Sequence, residues 1–280
     1  MVLDVSEHFT LGAAQLLTEW GIWRNTRFDV LVINLAGSDE RPESVHHMLD
    51  REQVAWRRMP AVDGHHGMPE GDYDYDEAAA IIRHDRPLNT GEIGCYLSHI
   101  KALRMFLAGK AANAVVLEDD IDIPPRTFAN LNAIAAKLDA FYGDKWDCVN
   151  FGSAQRPGFQ DTVFIENGIE VRRSTYMPLS TPGIMWTRAG AEAYLSSIFG
   201  QKIRGPVDTK MRSHFARRGR SFVPADPITS RLDFSSEIAV SGSRAQPKGR
   251  KGSSARSKIL PHFPDYLNAY IMLRYRRIVK

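Results

Sequence analysis

Residues 28–35 read FDVLVINL, an uninterrupted apolar run of the kind buried on both faces of a parallel sheet. Working downstream, Ser38 can cap a helix over 39–51, Val54–Met59 reads as a second strand, and AVDG at 61–64 as a turn. Residues 63–75, rich in Asp, Gly, His and Tyr, read as a long exposed loop. In 89-NTGEIGCYLSHIKALRMFLAG-109, Asn89 with Glu92 three residues on resembles a capping box opening a helix of about five turns. Ala114–Leu117 is a short buried strand, stopped after the acidic run that follows it by Pro124 and Pro125. A helix over 126–142, a strand over 146–151, a hairpin over 162–176, a strand over 183–187 and a helix over 188–199 complete the alternation. Strands and helices that alternate in this way predict an α/β fold built on one mostly parallel sheet. Upstream, Leu16, Leu17, Trp20 and Trp23 predict an amphipathic helix within residues 11–23.

Three places concentrate chemistry. Glu118, Asp119, Asp120 and Asp122 follow directly on the strand AVVL, at the carboxyl edge where open α/β sheets bind ligands. Crowded hard oxygens suit Mg²⁺ or Mn²⁺, with water and a diphosphate completing the coordination; an exposed acidic turn is the alternative. In GEIGCYLSH, Ser98 and His99 lie about two turns into a helix, and Gly91 and Gly94 cost it stability unless another backbone comes close. Asn34, Leu35 and Arg41 sit where the first strand ends, and there amides and a guanidinium could read a nucleotide. No GxGxxG follows that strand and no Walker A sequence occurs, which disfavours Rossmann dinucleotide and P-loop readings.

VINLAGSDER, AVDG at 61–64, LNTGEIGCYLSH at 88–99, VLEDDID at 116–122 and TPGIMWTRAGAEAYL at 181–195 occur in an order and spacing that resemble glycosyltransferase family 25. Its members include bacterial lipooligosaccharide galactosyltransferases. The resemblance covers residues 28 to about 240 and implies a single type A glycosyltransferase domain using a UDP-sugar donor and a divalent cation, Mn²⁺ or Mg²⁺. It implies Asp120 as metal ligand with Asp122 beside it, and Glu118 and Asp119 supporting the metal or the donor. Asn34, Leu35, Arg41, Ser98 and His99 fall in its donor-binding elements. GPVD at 205–208 is similar to a late Pro-x-Asp segment, which makes Asp208 the general base for the acceptor hydroxyl; a helix N-cap is its alternative. The chain departs from the family at Thr181–Ile184, and SRLDFSSEI at 230–238 lacks the Gln that commonly precedes a Ser-Asp-Ile element.

The expected activity is therefore transfer of a hexose, with inversion, from UDP-galactose to a surface glycolipid or oligosaccharide. A nucleotidyltransferase using a carboxylate-bound cation, or a non-catalytic glycan- or membrane-binding module of the same fold, are the alternatives.

With 43% apolar and 25% charged residues in 280, the chain is neither disordered nor a disulfide scaffold. Cys95 and Cys148 read as reduced, buried thiols, which together with the absence of a signal-like start or a membrane-length apolar run predicts a cytoplasmic location. The formal charge of +3 conceals an asymmetry: residues 241–280 hold ten Lys/Arg against one Asp, a balance of +9, leaving −6 for residues 1–240. The organisation expected is an extension over 1–27, a catalytic domain over 28–240, a flexible basic linker over 241–258 and a basic amphipathic helix over 259–280. Leu267, Tyr270, Ile271, Arg274, Tyr275 and Ile278 form the stripe of that helix. It predicts contact with an anionic membrane surface at the inner face, packing back onto the domain being the alternative, and no nucleic-acid partner.

Overall fold

The structure, a computed structural model, describes residues 27–36, 40–69, 71–153, 159–232 and 263–278, without the side chains of 40–44 and 275–278. The expected helix at 11–23, the linker at 241–258 and the side chain of Arg41 therefore lie outside the described residues. The apolar run forms β1 (Phe28–Asn34), flanked on both edges by parallel partners, β2 (Trp56–Pro60) and β3 (Asn113–Glu118). Its side chains alternate between two cores. Leu31 and Ile33 pack against one helical layer, Val30 and Val32 against the other, and β3 divides Ala114 and Val116 from Val115 and Leu117 in the same way. Burial on both faces is why the sequence shows no polar alternation, and each fully buried Val or Leu contributes about 1.5–3 kcal/mol.

One layer consists of α3 (Thr90–Ala108), α5 (Arg188–Ile198) and α6 (Val207–Arg218); the other holds α1 (Glu40–Arg51) and α4 (Thr127–Tyr142). A short α2 (Glu77–His84) precedes α3. Asp76 caps it by accepting the Ala79 N–H, and Asp85 closes it in the left-handed region at φ 60°. The sheet continues with β8 (Gly183–Thr187), β5 (Cys148–Asn150), β9 (Ser221–Pro224), β7 (Ile169–Ser174) and β6 (Gln160–Glu166), in the order β2-β1-β3-β8-β5-β9-β7-β6. β7 and β8 run against the other strands, so the mostly parallel sheet is a mixed one. The expected hairpin is β6–β7, turned by Asn167 and Gly168 at φ 50° and 79°, the positive values that an Asn-Gly hairpin turn needs. A two-residue ladder joins β4 (Ile121–Asp122) to β10 (Ser230–Arg231) beside the carboxyl end of β3.

The C-terminal helix, α7 (Phe263–Ile278), packs back on the domain. Asp265, fully buried, accepts bonds from Arg83 Nη2 at 2.7 Å and Ser213 Oγ at 2.6 Å. Tyr266 stacks on Tyr176 at 4.6 Å, and Ala269 and Leu273 are buried. Phe263, Leu267, Tyr270 and Ile271 face outward, each about half exposed. Among the described residues no helix is long and apolar enough to cross a membrane.

His214 of α6 lies buried against Tyr194 and Phe215, and burial, reinforced by Arg218, Lys210 and Arg217, holds its pKa down at about 3. The fold thus stabilises the neutral ring. This contribution is complete above the unfolded value of 6.5 and is lost as pH falls from 6.5 towards about 3, at roughly 1 kcal/mol for each pH unit. Urea unfolding at pH 7 and pH 4.5 should accordingly show a smaller acid-induced loss in His214→Gln than in the unaltered chain.

Candidate active site

Parallel register brings the carboxyl ends of three strands to one edge, where Asn34 pairs with Pro60 and Ile33 with Glu118. Asn34 is buried, donates its side-chain amide to Asp119 Oδ2 at 2.6 Å, and accepts the Ala61 N–H at its carbonyl. The carbonyl of its half-buried neighbour Leu35 accepts Arg58 Nη2 at 3.4 Å.

Glu118 is gripped from three sides. Thr181 Oγ1 donates to Oε1 at 2.7 Å, His99 Nε2 lies 3.5 Å from the same oxygen, and Arg231 Nη2 donates to Oε2 at 2.8 Å. Burial pushes this carboxyl up, but His99, Arg231 and Thr181 together outweigh it and hold the pKa at about 2. Arg231 is placed by the β4–β10 ladder and by the Leu232 N–H donating to the Asp120 carbonyl at 2.8 Å; its Nε stands 4.0 Å from Asp120 Oδ2. Asp122, half-buried, faces Ser230 in that ladder.

The two glycine-bearing motifs clasp each other. The box closes as expected, with the Asn89 side chain accepting the Glu92 N–H and Glu92 accepting the Asn89 N–H. Thr90 Oγ1 donates to the Gly64 carbonyl, and a Cβ on Gly94 would come within 2.6 Å of the Val62 carbonyl oxygen. Ser98 Oγ accepts the Val62 N–H at 2.8 Å and donates to the Gly94 carbonyl at 2.7 Å. The backbone that approaches Gly94 is thus the AVDG turn, and the Ser98 hydroxyl is spent on joining it to α3.

Asp208 sits two residues past the helix-capping position, which Pro206 occupies, so it is not the N-cap. Its Oδ2 accepts the Ser180 N–H at 3.0 Å and its Oδ1 the Thr209 N–H at 2.6 Å. It shares a pocket of about 240 Å³ with Glu92, Cys95, Glu118, Thr181 and Arg231. In the sequence, Cys95 reads only as a buried thiol and Thr181 only as a departure from the family, and nothing singles out Arg231. Arg231 lies in SRLDFSSEI, which lacks the Gln of the corresponding family element, and no motif pointed to it.

For a divalent cation, Glu118 and Asp119 are engaged with protein partners; the other carboxylates of the run are Asp120, whose Oδ2 stands 4.0 Å from Arg231 Nε, and Asp122. Asp120 and Asp122 fit Mg²⁺ or Mn²⁺ in donor type, as hard carboxylate oxygens. Among the described residues, the group of three His, Cys, Asp or Glu ligand atoms within 4.8 Å of one another is Cys95, His99 and Glu118. It suits such an ion less well, because burial and the Glu118 and Asp208 charges push the Cys95 thiol well above its ordinary pKa.

The acidic strand end of a mixed α/β sheet thus shares one pocket with the Asp208 carboxylate and the Arg231 guanidinium. Residues 28–197 match the family described as Glycosyltransferase family 25 (LPS biosynthesis protein), more than half of the chain, and the chain belongs to that family. A "Glycosyltransferase 25 family member" of Anopheles gambiae is 29% identical over 170 residues, covering 59% of this chain and 28% of that protein. "Procollagen galactosyltransferase 1" of Danio rerio is 26% identical over 132 residues, covering 44% and 21%. The chain thus spans well under half the length of these curated relatives. A solved structure described as a glycosyltransferase involved in the glycosylation of the major capsid of PBCV-1 aligns with 76% of this chain and 96% of its own, at a TM-score of 0.38 and 12% identity.

Because a methyl at position 94 meets backbone rather than a yielding side chain, Gly94→Ala should force α3 off the AVDG turn. The expected cost is about 1–3 kcal/mol in urea unfolding, as for other overpacked sites.

Proposed function

We propose that the protein transfers a hexose, with inversion, from UDP-galactose to a hydroxyl of a surface glycolipid glycan at the cytoplasmic face of a membrane. The observation that carries this reading is that Asp208, Glu118 and Arg231 line one pocket. Asp208 is the general base: the acceptor oxygen attacks the anomeric carbon, its proton passes to the Asp208 carboxylate, the bond from that carbon to the phosphate oxygen breaks, and UDP departs. Arg231 stabilises the charge developing on the diphosphate. Asn34 and Asp119, locked together, position the nucleotide. Asp120 and Asp122 would hold a divalent cation, which would supply further positive charge at the leaving group. Galactose is favoured by the resemblance to a procollagen galactosyltransferase, and the glycolipid acceptor by the family description.

UDP release from UDP-galactose, UDP-glucose and UDP-N-acetylglucosamine in the presence of Mn²⁺ tests the reading. Galactose should be preferred, Asp208→Asn should lower kcat by about 10²- to 10⁴-fold, and Arg231→Gln by about 10²- to 10³-fold. Release of pyrophosphate from a nucleoside triphosphate would instead identify a nucleotidyltransferase, and full turnover in Asp208→Asn would remove the base.

The outward face of α7 is the membrane contact. Leu267, Tyr270 and Ile271 offer about half of each side chain to solvent, Arg274 stands beside them, and Arg276, Arg277 and Lys280 follow in sequence. Inward, the helix stays docked through Asp265. In co-sedimentation, phosphatidylglycerol vesicles should retain the chain and phosphatidylcholine vesicles should not. Leu267→Glu with Ile271→Glu should abolish retention without changing the unfolding midpoint; equal retention of variant and parent rejects the contact.

A further inference from the structure

A second concavity, of about 210 Å³, opens on the other side of the first turn of α6. Pro206, Val207 and Asp208 line the pocket described above; Gly205, Thr209 and Lys210 line this one. Five cations surround it: Arg83 from α2, Lys202 and Arg204 from the segment before α6, and Lys210 and Arg217 from α6 itself. Two are balanced, Arg83 by Asp265 at 2.7 Å and Arg204 by Asp76 at 3.1 Å. Lys210 Nζ is held by a neutral amide, donating to Gln201 Oε1 at 2.7 Å. Among the described residues, no carboxylate lies within ion-pair distance of Lys202, Lys210 or Arg217. The hydroxyls on the same wall are already engaged, Ser213 Oγ donating to Asp265 Oδ2 at 2.6 Å and Thr209 Oγ1 to Asp208 Oδ1 at 3.3 Å, so the cations alone are left to meet a ligand.

Lys202, Arg204 and Arg217 stand exposed at the rim and Lys210 is half-buried; like charges collected around one concavity repel one another. Burial first, then Arg217, Arg83 and Arg204, holds the Lys210 ammonium below the usual lysine range against an opposing pull from Asp265. An anion would offset the repulsion. Three uncompensated cations, one of them a guanidinium suited to two-pronged contact, match a phosphate monoester of nearly two negative charges better than a single carboxylate.

We infer that this pocket binds a phosphoryl group, and that the group belongs to the acceptor whose hydroxyl is presented to Asp208 across the first turn of α6. The assignment of the anion to the acceptor rests on the transferase reading above; the phosphoryl site itself does not.

The test separates the two. Calorimetric titration of the full chain with inorganic phosphate, at constant ionic strength set with chloride, should show binding both without and with saturating UDP. Lys210→Gln with Arg217→Gln should weaken it at least tenfold while leaving the unfolding midpoint unchanged. Undiminished binding by the double variant, or loss of binding when UDP is added, would overturn the site, the latter because phosphate would then occupy the donor pocket. A phosphorylated oligosaccharide acceptor and its phosphatase-treated counterpart form the second arm. The double variant should raise KM for the former at least tenfold with kcat retained, and leave the latter unchanged; equal KM effects on both would overturn the link to the acceptor. Retention on phosphatidylglycerol vesicles, read in the same variant, distinguishes a lipid headgroup as the source: a loss there with no acceptor effect also overturns that link. Absence of any transfer, with variant-sensitive phosphate binding intact, would count against the transferase reading alone.

Discussion

The Glu118 carboxyl, at the end of a buried strand, is held towards its charged form by three partners that together outweigh its burial. Three elements distant in sequence supply its partners: α3 through His99, the segment before β8 through Thr181, and β10 through Arg231. Removing one of them would leave the mostly buried carboxylate less compensated. The carboxylate therefore fixes where these elements meet, and their meeting place is one wall of the cavity that faces Asp208. Charge that would weaken an ordinary core is here what assembles the site.

The features legible in the sequence are those whose cause is local. FDVLVINL reads as a doubly buried strand because each side chain alternates between two apolar layers, and the Asn89–Glu92 box closes because its four groups lie within one turn. Features decided by distant partners were not legible. Arg231 is an unremarkable arginine until the β4–β10 ladder sets it over Glu118, more than a hundred residues away. The reversed direction of β7 and β8 likewise belongs to pairing across the sheet, which no periodicity records.

The last helix illustrates the same limit from the other direction. Its broad apolar stripe, through Leu267, Tyr270 and Ile271, is the one that pattern reading finds, yet the docked face is the narrower line of Tyr266, Ala269 and Leu273 beside a carboxylate. An acidic residue argues against a buried face only while it has no partner. Arg83 and Ser213 make Asp265 a fastening instead, and the wide stripe is left outward. In the glycine motifs, too, the pattern was visible before its reason: AVDG and GEIGCYLSH stand out because each is the surface against which the other closes.

Net charge, finally, is blind to position. The −6 of residues 1–240 includes both the carboxylates of the β3 edge and the cations around Lys210, which stand on opposite sides of one helical turn. Two fields of opposite sign so close together give direction as well as attraction. A molecule with an anion at one end and neutral hydroxyls at the other has one favourable orientation across that turn, anion toward Lys210 and hydroxyls toward Asp208. Reversing it would set the anion against Glu118 and Asp208. Acceptor polarity would in that case be selected before any sugar-specific contact forms, by charges that cancel in the sum.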